Sequence, residues 1–255
     1  MSTSLARIAK SATFTTLALT GVLAGLFAVP AATANAADDA CAAVEVVFAR
    51  GTNEAPGVGA TGQAFVDALT ARLPGQSVDV YGVNYPASLN FGQAVDGIAD
   101  ASNRIQSIAA QCPATKIVLG GYSQGAAVAG YTTSSTVPAG YALPAGLSGP
   151  MPASVASHVS AVALFGTPDD WFLGLVNRGA PSITVGDLYA GKTVELCATG
   201  DPVCYPGGLD RSAHSSYTTN GMTDQAAEYV AGRLGGSSAP SATLVQAAGE
   251  VAPGN

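Results

Sequence analysis

The chain has 255 residues, enough for one sizeable domain with its own core. Only 11% of the residues are charged and the formal net charge is −7. An acidic chain this poor in Lys and Arg excludes nucleic acid and anionic membrane surfaces as natural partners.

Residues 1–36 read as a secretory signal. Arg7 and Lys10 supply a positive start with no acid, Leu17 to Val29 is apolar, and Ala34-Asn35-Ala36 has the A-x-A form of a cleavage site. The apolar run is short for a membrane span, so removal is expected rather than anchoring. Losing its two cations takes the net charge from −7 to −9. Only Ala37-Asp38-Asp39-Ala40 precedes Cys41, so no lipobox-like run marks that thiol for lipid attachment. No other segment is apolar enough to span, and the expected location is extracellular. Four cysteines in an oxidising compartment predict two disulfides. Three connectivities are possible. Cys197 and Cys204 flank one loop, which selects Cys197–Cys204 with Cys41–Cys112. Two histidines and no C-x-x-C pair argue against zinc.

Val44 to Ala49 reads as a buried strand, followed by a Gly- and Pro-rich loop from Arg50 to Gly59. Gly57, Gly59 and Gly62 formally match the dinucleotide G-x-G-x-x-G. The match fails because loop residues including Pro56 separate it from the strand, and Asp79 sits inside the next strand rather than at its end. Phe65, Val66, Leu69 and Leu73 lie at helical spacing and predict a helix over about 60–73. Ser77 to Tyr85 is the next strand, stopped by Pro86. A second helix is expected over 92–111, with Val95, Ile98, Ile105 and Ile108 on one face.

Lys116 to Leu119 is a short buried strand running into Gly121-Tyr122-Ser123-Gln124-Gly125. This is G-x-S-x-G, a sharp strand-to-helix turn that exposes the serine hydroxyl at its apex. Small residues 126–129 then suit a helix whose N-terminus aims its N–H groups at an oxyanion. Thr132 to Ala156 is loop-rich. Val159 to Phe165 is a further strand. Asp169 to Tyr189 is mixed, and its cluster Trp171, Phe172, Leu173, Leu175 and Val176 is expected to pack in the core rather than line a substrate site. Lys192 to Cys197 is the last strand. Thr223 to Leu234 is a closing helix with Ala226, Ala227, Val230 and Leu234 inward. Residues 235–255 read as a flexible Gly/Ser/Ala/Pro-rich tail, leaving 37–234 as the folded domain. Alternating strands and helices predict a five-stranded parallel sheet with helices on both faces, and chemistry at the carboxyl ends of the strands, where Thr52, Ser123, Asp201 and His214 are expected.

A serine needs a base, and only His158 and His214 exist. In hydrolases with this turn the chain order is Ser, acid, His. No Asp or Glu lies between Ser123 and His158, so His158 is read as structural and His214 as the base. Asp201 is the acid expected to orient it, because the Cys197–Cys204 loop would fix its carboxylate. The oxyanion donors expected are the backbone N–H of Gln124 and Thr52, from the loop after the first strand.

These residues resemble the cutinases, secreted serine esterases, over about 41–234. The resemblance rests on Cys112 through Ala126, on Cys197-x-x-x-Asp201-x-Val203-Cys204 followed by His214, on Val46 to Glu54, and on Val83-Asn84-Tyr85-Pro86. It implies an α/β-hydrolase without a lid domain, a Ser123–Asp201–His214 triad, an oxyanion hole from Thr52 and Gln124, and the same two disulfides. It implies an acyl-enzyme mechanism on short- to medium-chain esters and polyesters such as cutin, with no cofactor or metal. The expected partners are an ester, lipid or polyester substrate, with no nucleic acid and no stable membrane insertion, and the expected state is a monomer. Asp210 and Arg211 stand where a more apolar substrate rim is expected. The competing readings are a lipase, phospholipase or acyltransferase on envelope lipids, and a non-catalytic lipid-binding surface protein.

Overall fold

The computed structural model describes residues 41–137, 142–144 and 146–235. The expected signal segment, and the expected tail beyond Gly235, lie outside the described residues. Five parallel strands, β1 (Val44–Ala49), β2 (Val78–Gly82), β3 (Lys116–Tyr122), β4 (Val159–Phe165) and β5 (Thr193–Leu196), lie in the order β2-β1-β3-β4-β5. The chain leaves β1 toward one edge to form β2, then crosses to the other side of β1 to form β3. The carboxyl ends of β1 and β3 therefore flank the point where winding reverses, the usual place for a crevice in an open parallel sheet.

Side chains alternate across β1. Val44, Val46 and Phe48 join one core with Phe65, Leu69, Ala226 and Val230, whereas Val47 and Ala49 join another with Ile105, Ala126 and Val128. So α1 (Gly59–Ala71) and α8 (Met222–Gly235) cover one face, and α2 (Ala94–Gln111) and α3 (Gln124–Thr132) cover the other. Short helices α4 (Ala153–Ala156), α5 (Asp170–Val176), α6 (Asp187–Ala190) and α7 (Arg211–His214) fill the connections.

Element ends differ from expectation in physically sensible places. The second helix opens with a 3-10 turn at Phe91–Gln93 before α2 begins. Its predicted apolar stripe divides: Ile105 and Ile108 are buried in the core, but Val95 and Ile98 line a cavity. The segment 153–156, expected as loop, makes one helical turn. At the rejected dinucleotide motif, the Glu54 carboxylate accepts from the backbone N–H groups of Gly51 (2.6 Å) and Ala60 (2.7 Å). The start of α1, where a phosphate would have to sit, already holds an anion. His158 precedes β4 and exchanges only backbone bonds there, donating to Val155 and accepting from Ile117.

Candidate active site

The site begins with strain at the end of β3. Ser123 has φ 56° and ψ −119°, a left-handed conformation costly for any residue with a Cβ. The flanking glycines permit it. A Cβ on Gly121 would run into the carbonyl of Gly125, and one on Gly125 into the carbonyl of Ala49. The chain thus crosses itself closely enough to lift the serine hydroxyl out of the sheet. Helix α3 begins immediately, at Gln124.

Ser123 Oγ lies 2.9 Å from His214 Nε2. On the far side of the ring, Nδ1 is 2.8 and 2.9 Å from the two carboxylate oxygens of Asp201. The carboxylate fixes the tautomer: Nδ1–H donates to Asp201, leaving Nε2 to accept from the serine hydroxyl. Asp201 is fully buried and also accepts from the Val203 N–H (2.8 Å) and from the Tyr217 hydroxyl (2.7 Å). Burial would push its carboxyl up, but hydrogen bonds from His214, Val203 and Tyr217 outweigh it and hold the group below the ordinary carboxylate range.

The elements that hold this line are local. Asp201 stands between Cys197 and Cys204, which are bonded to each other; the second disulfide joins Cys41 to Cys112. The sulfurs of Cys197 and Cys204 lie near the Asp201 carboxylate, but as a disulfide they offer no thiolate to a metal. His214 was expected just past a strand end. It instead ends α7, a single turn whose N-cap is Asp210, accepting from the Ser212 N–H at 2.8 Å. The acid that looked misplaced on a substrate rim therefore shapes the turn carrying the imidazole. Tyr122 stacks on the His214 ring at 5.1 Å and donates to the His214 carbonyl at 2.5 Å. Tyr217 meets the same ring edge-on. Neither tyrosine was marked by sequence reasoning. Their only signal is adjacency, one residue before Ser123 and three after His214.

Thr52 and Gln124 come together from the ends of β1 and β3, with Thr52 Oγ1 3.4 Å from Gln124 Oε1. Gln124 Nε2 donates to the Ser88 carbonyl at 3.1 Å, so its side chain is occupied and only its backbone N–H is left for a ligand. Both residues line a cavity of about 630 Å³ together with Ser123 and His214. Its walls are apolar, from Val95 and Ile98 of α2 and from Phe172, Leu173 and Val176 of α5. This corrects the expectation that the 171–176 cluster packs in the core. Of those five residues only Leu173 is buried, and Trp171 and Leu175 are exposed.

A family model, Cutinase, matches residues 40–234. Carboxylesterase Culp1 of Mycobacterium bovis is 47% identical over 232 residues, covering 91% of this chain and 96% of that protein. Phospholipase Culp4 of Mycobacterium tuberculosis is 43% identical over 221 residues, covering 85% and 92%. Among solved structures, a Trichoderma reesei cutinase in complex with a phosphonate inhibitor is 32% identical with a TM-score of 0.56, over 76% of this chain and 77% of that one. The sheet with helices on both faces, the strained serine turn and this match across nearly all the described residues agree: the chain belongs to the cutinase family and is a serine carboxylic-ester hydrolase.

Proposed function

We propose that Ser123, His214 and Asp201 work as a charge relay that hydrolyses esters through an acyl-enzyme. The observation that carries the reading is the unbroken file of contacts from Ser123 Oγ through both ring nitrogens to a buried carboxylate. His214 Nε2 takes the hydroxyl proton as Oγ attacks the ester carbonyl. It returns the proton to the leaving alkoxide, and the alcohol departs. Water then attacks the acyl-enzyme with the same nitrogen as base, the carboxylic acid leaves, and Ser123 regains its proton. The backbone N–H of Gln124, with Thr52, holds the oxyanion of each tetrahedral intermediate. Asp201 keeps Nδ1 protonated and stabilises the imidazolium.

The apolar cavity beside Ser123 supports short- to medium-chain acyl esters and polyesters such as cutin as substrates. A phospholipid reading is favoured by one finding, the 43% identity to a protein named a phospholipase. Residues 1–36 are removed on secretion and the domain acts outside the cell as a monomer. In support, two disulfides are formed, and no helix among the described residues is long and apolar enough to cross a membrane. The test is a p-nitrophenyl ester series of rising acyl length with phosphatidylcholine alongside, for wild type and Ser123→Ala. Hydrolysis by wild type that peaks at short to medium chains and vanishes in the folded variant is expected. Equal turnover by the variant would end the proposal.

A further inference from the structure

One side chain beside the site belongs to neither the relay nor the cavity wall. Tyr122 closes β3 and does not line the cavity, yet it lies between the two halves of the site. On one side its ring stands against the oxyanion loop. A Cβ on Gly51 would come 2.7 Å from Tyr122 Cδ1, so a glycine leaves room for the ring next to Thr52. Glu54 holds that glycine in place, accepting from its N–H at 2.6 Å. On the other side the ring lies over His214, with centroids 5.1 Å apart and planes inclined by 30°. The Tyr122 hydroxyl donates to the His214 carbonyl at 2.5 Å, which ties the ring to the backbone of the base. Burial, with Glu54 and Asp201 nearby, pushes that phenol above its ordinary value, so it stays a neutral donor. Tyr217 meets the Tyr122 ring edge-on at 5.6 Å.

We propose that Tyr122 is a positioning residue whose ring face holds the His214 imidazole in line and stabilises the imidazolium that forms each time Ser123 gives up its proton. The inference rests on the ester-hydrolase reading and adds what supports the base within it. Three sides of the imidazole are then accounted for. Asp201 meets it in plane at Nδ1, Tyr217 meets it edge-on at 6.4 Å, and Tyr122 covers one face. The carboxylate balances the cation along one edge only. A positive ring is drawn to the negative face of an aromatic within about 6 Å, and the attraction grows as water is excluded. Only 20% of the His214 side chain is exposed. A neutral imidazole gains little from the same stacking. The contact is therefore stronger in the transition state than in the resting enzyme, the condition for raising kcat rather than lowering KM. Because Tyr122 directly precedes Ser123, one strand end sets both the hydroxyl and the surface that supports its base.

Fluorination tests the face while nearly keeping its shape. Tyr122→Phe retains the ring and drops the hydroxyl; fluorines added stepwise to that ring then drain its face of negative charge. Turnover of dissolved p-nitrophenyl butyrate is measured for each form, beside Tyr122→Leu. Tyr122→Phe should keep kcat within about threefold of wild type. Each added fluorine should lower it further, and the trifluorinated ring and Tyr122→Leu should both lose about tenfold. KM should stay unchanged throughout, because Tyr122 lines no part of the cavity. The geometry has its own signature, since the chain has two histidines. Proton NMR, with His158→Gln to assign the pair, should show His214 ring signals moved upfield by the Tyr122 ring, kept in Tyr122→Phe and lost in Tyr122→Leu. If Tyr122→Leu fails to fold, the fluorinated series decides. Equal kcat across that series overturns the proposal, and so does a loss carried by KM or an unshifted His214 signal in wild type. A wild-type chain that hydrolyses no ester removes the relay itself, whereas an active wild type with a flat series removes only the part assigned to Tyr122.

Discussion

Replacing Tyr217 by Phe separates support of the relay from the relay itself. The phenol is completely buried and has two bonds that matter: it donates to Asp201 at 2.7 Å and accepts from the Ala198 N–H at 3.0 Å. Tyr217→Phe keeps the ring, so no cavity opens. It removes a hydrogen bond to a charged group, which contributes about 1.5–3 kcal/mol. It also strands a buried backbone N–H, a further loss of about 1–3 kcal/mol. The two together give about 4 kcal/mol. In a domain of this size that lowers Tm by roughly 8–16 °C. Catalysis should suffer much less. Asp201 keeps the Val203 N–H and the His214 ring as donors, so the imidazole keeps its tautomer. kcat/KM below the transition should fall by only about tenfold. Calorimetry and p-nitrophenyl butyrate kinetics on the same preparation give both numbers. An unchanged Tm would refute the hydrogen-bond reasoning. A fall in kcat/KM of about ten-thousand-fold, the scale of losing the relay acid, would show that Tyr217 belongs to the chemistry.

Asp201→Asn should lower kcat by about ten-thousand-fold with folding retained, since an amide beside Nδ1–H favours the tautomer that faces Ser123 with a proton; steady-state kinetics checks this. Activity should decline on acidification, because a protonated Nε2 cannot accept from Ser123, and a rate unchanged by acid would contradict the base assignment. Stability has its own pH signature. The Asp201 carboxyl is lower in the fold than in the unfolded chain, so its contribution is complete above about pH 5 and is lost as pH drops below about 4. Acid titration followed by circular dichroism should show that loss, reduced in Asp201→Asn. The disulfides should separate stability from activity. Their spans of 71 and 7 residues predict losses of about 4 and about 2.5 kcal/mol for the Cys41–Cys112 and Cys197–Cys204 pairs replaced by serine, yet the second replacement should cost more activity because it loosens the Asp201 loop.

What the sequence made legible was periodicity and punctuation. The strand at 44–49, the strand at 116–119 that continues to Tyr122, and the turn at Ser123 follow from β-branched runs and from glycines that a close backbone crossing requires, though the continuation over 120–122 reads as part of the turn. Scarcity made His214 legible, because the other histidine has no acid between it and Ser123. The rest depended on contacts that no spacing encodes. Tyr122 and Tyr217 meet His214 only after β3, the disulfide loop and α7 have converged. Asp210 looked like an intrusion on the substrate rim until α7 gave it a helix to cap. The 171–176 segment misled because a cluster of large apolar residues reads as core, whereas on this short helix they divide between a cavity and solvent. Val95 and Ile98 lie on the helix as expected, but the spacing did not tell that they line the cavity, since a cavity wall and a core produce the same periodicity.

The central claim is that Ser123 is the nucleophile, and its most direct test is covalent trapping. The protein is incubated with a p-nitrophenyl alkylphosphonate, its intact mass is measured, and the labelled peptide is sequenced by fragmentation. The account predicts one phosphonyl group per chain, on Ser123, formed with loss of esterase activity, and none on Ser123→Ala. A label on another residue, or an unlabelled wild-type chain that still hydrolyses esters, would contradict it.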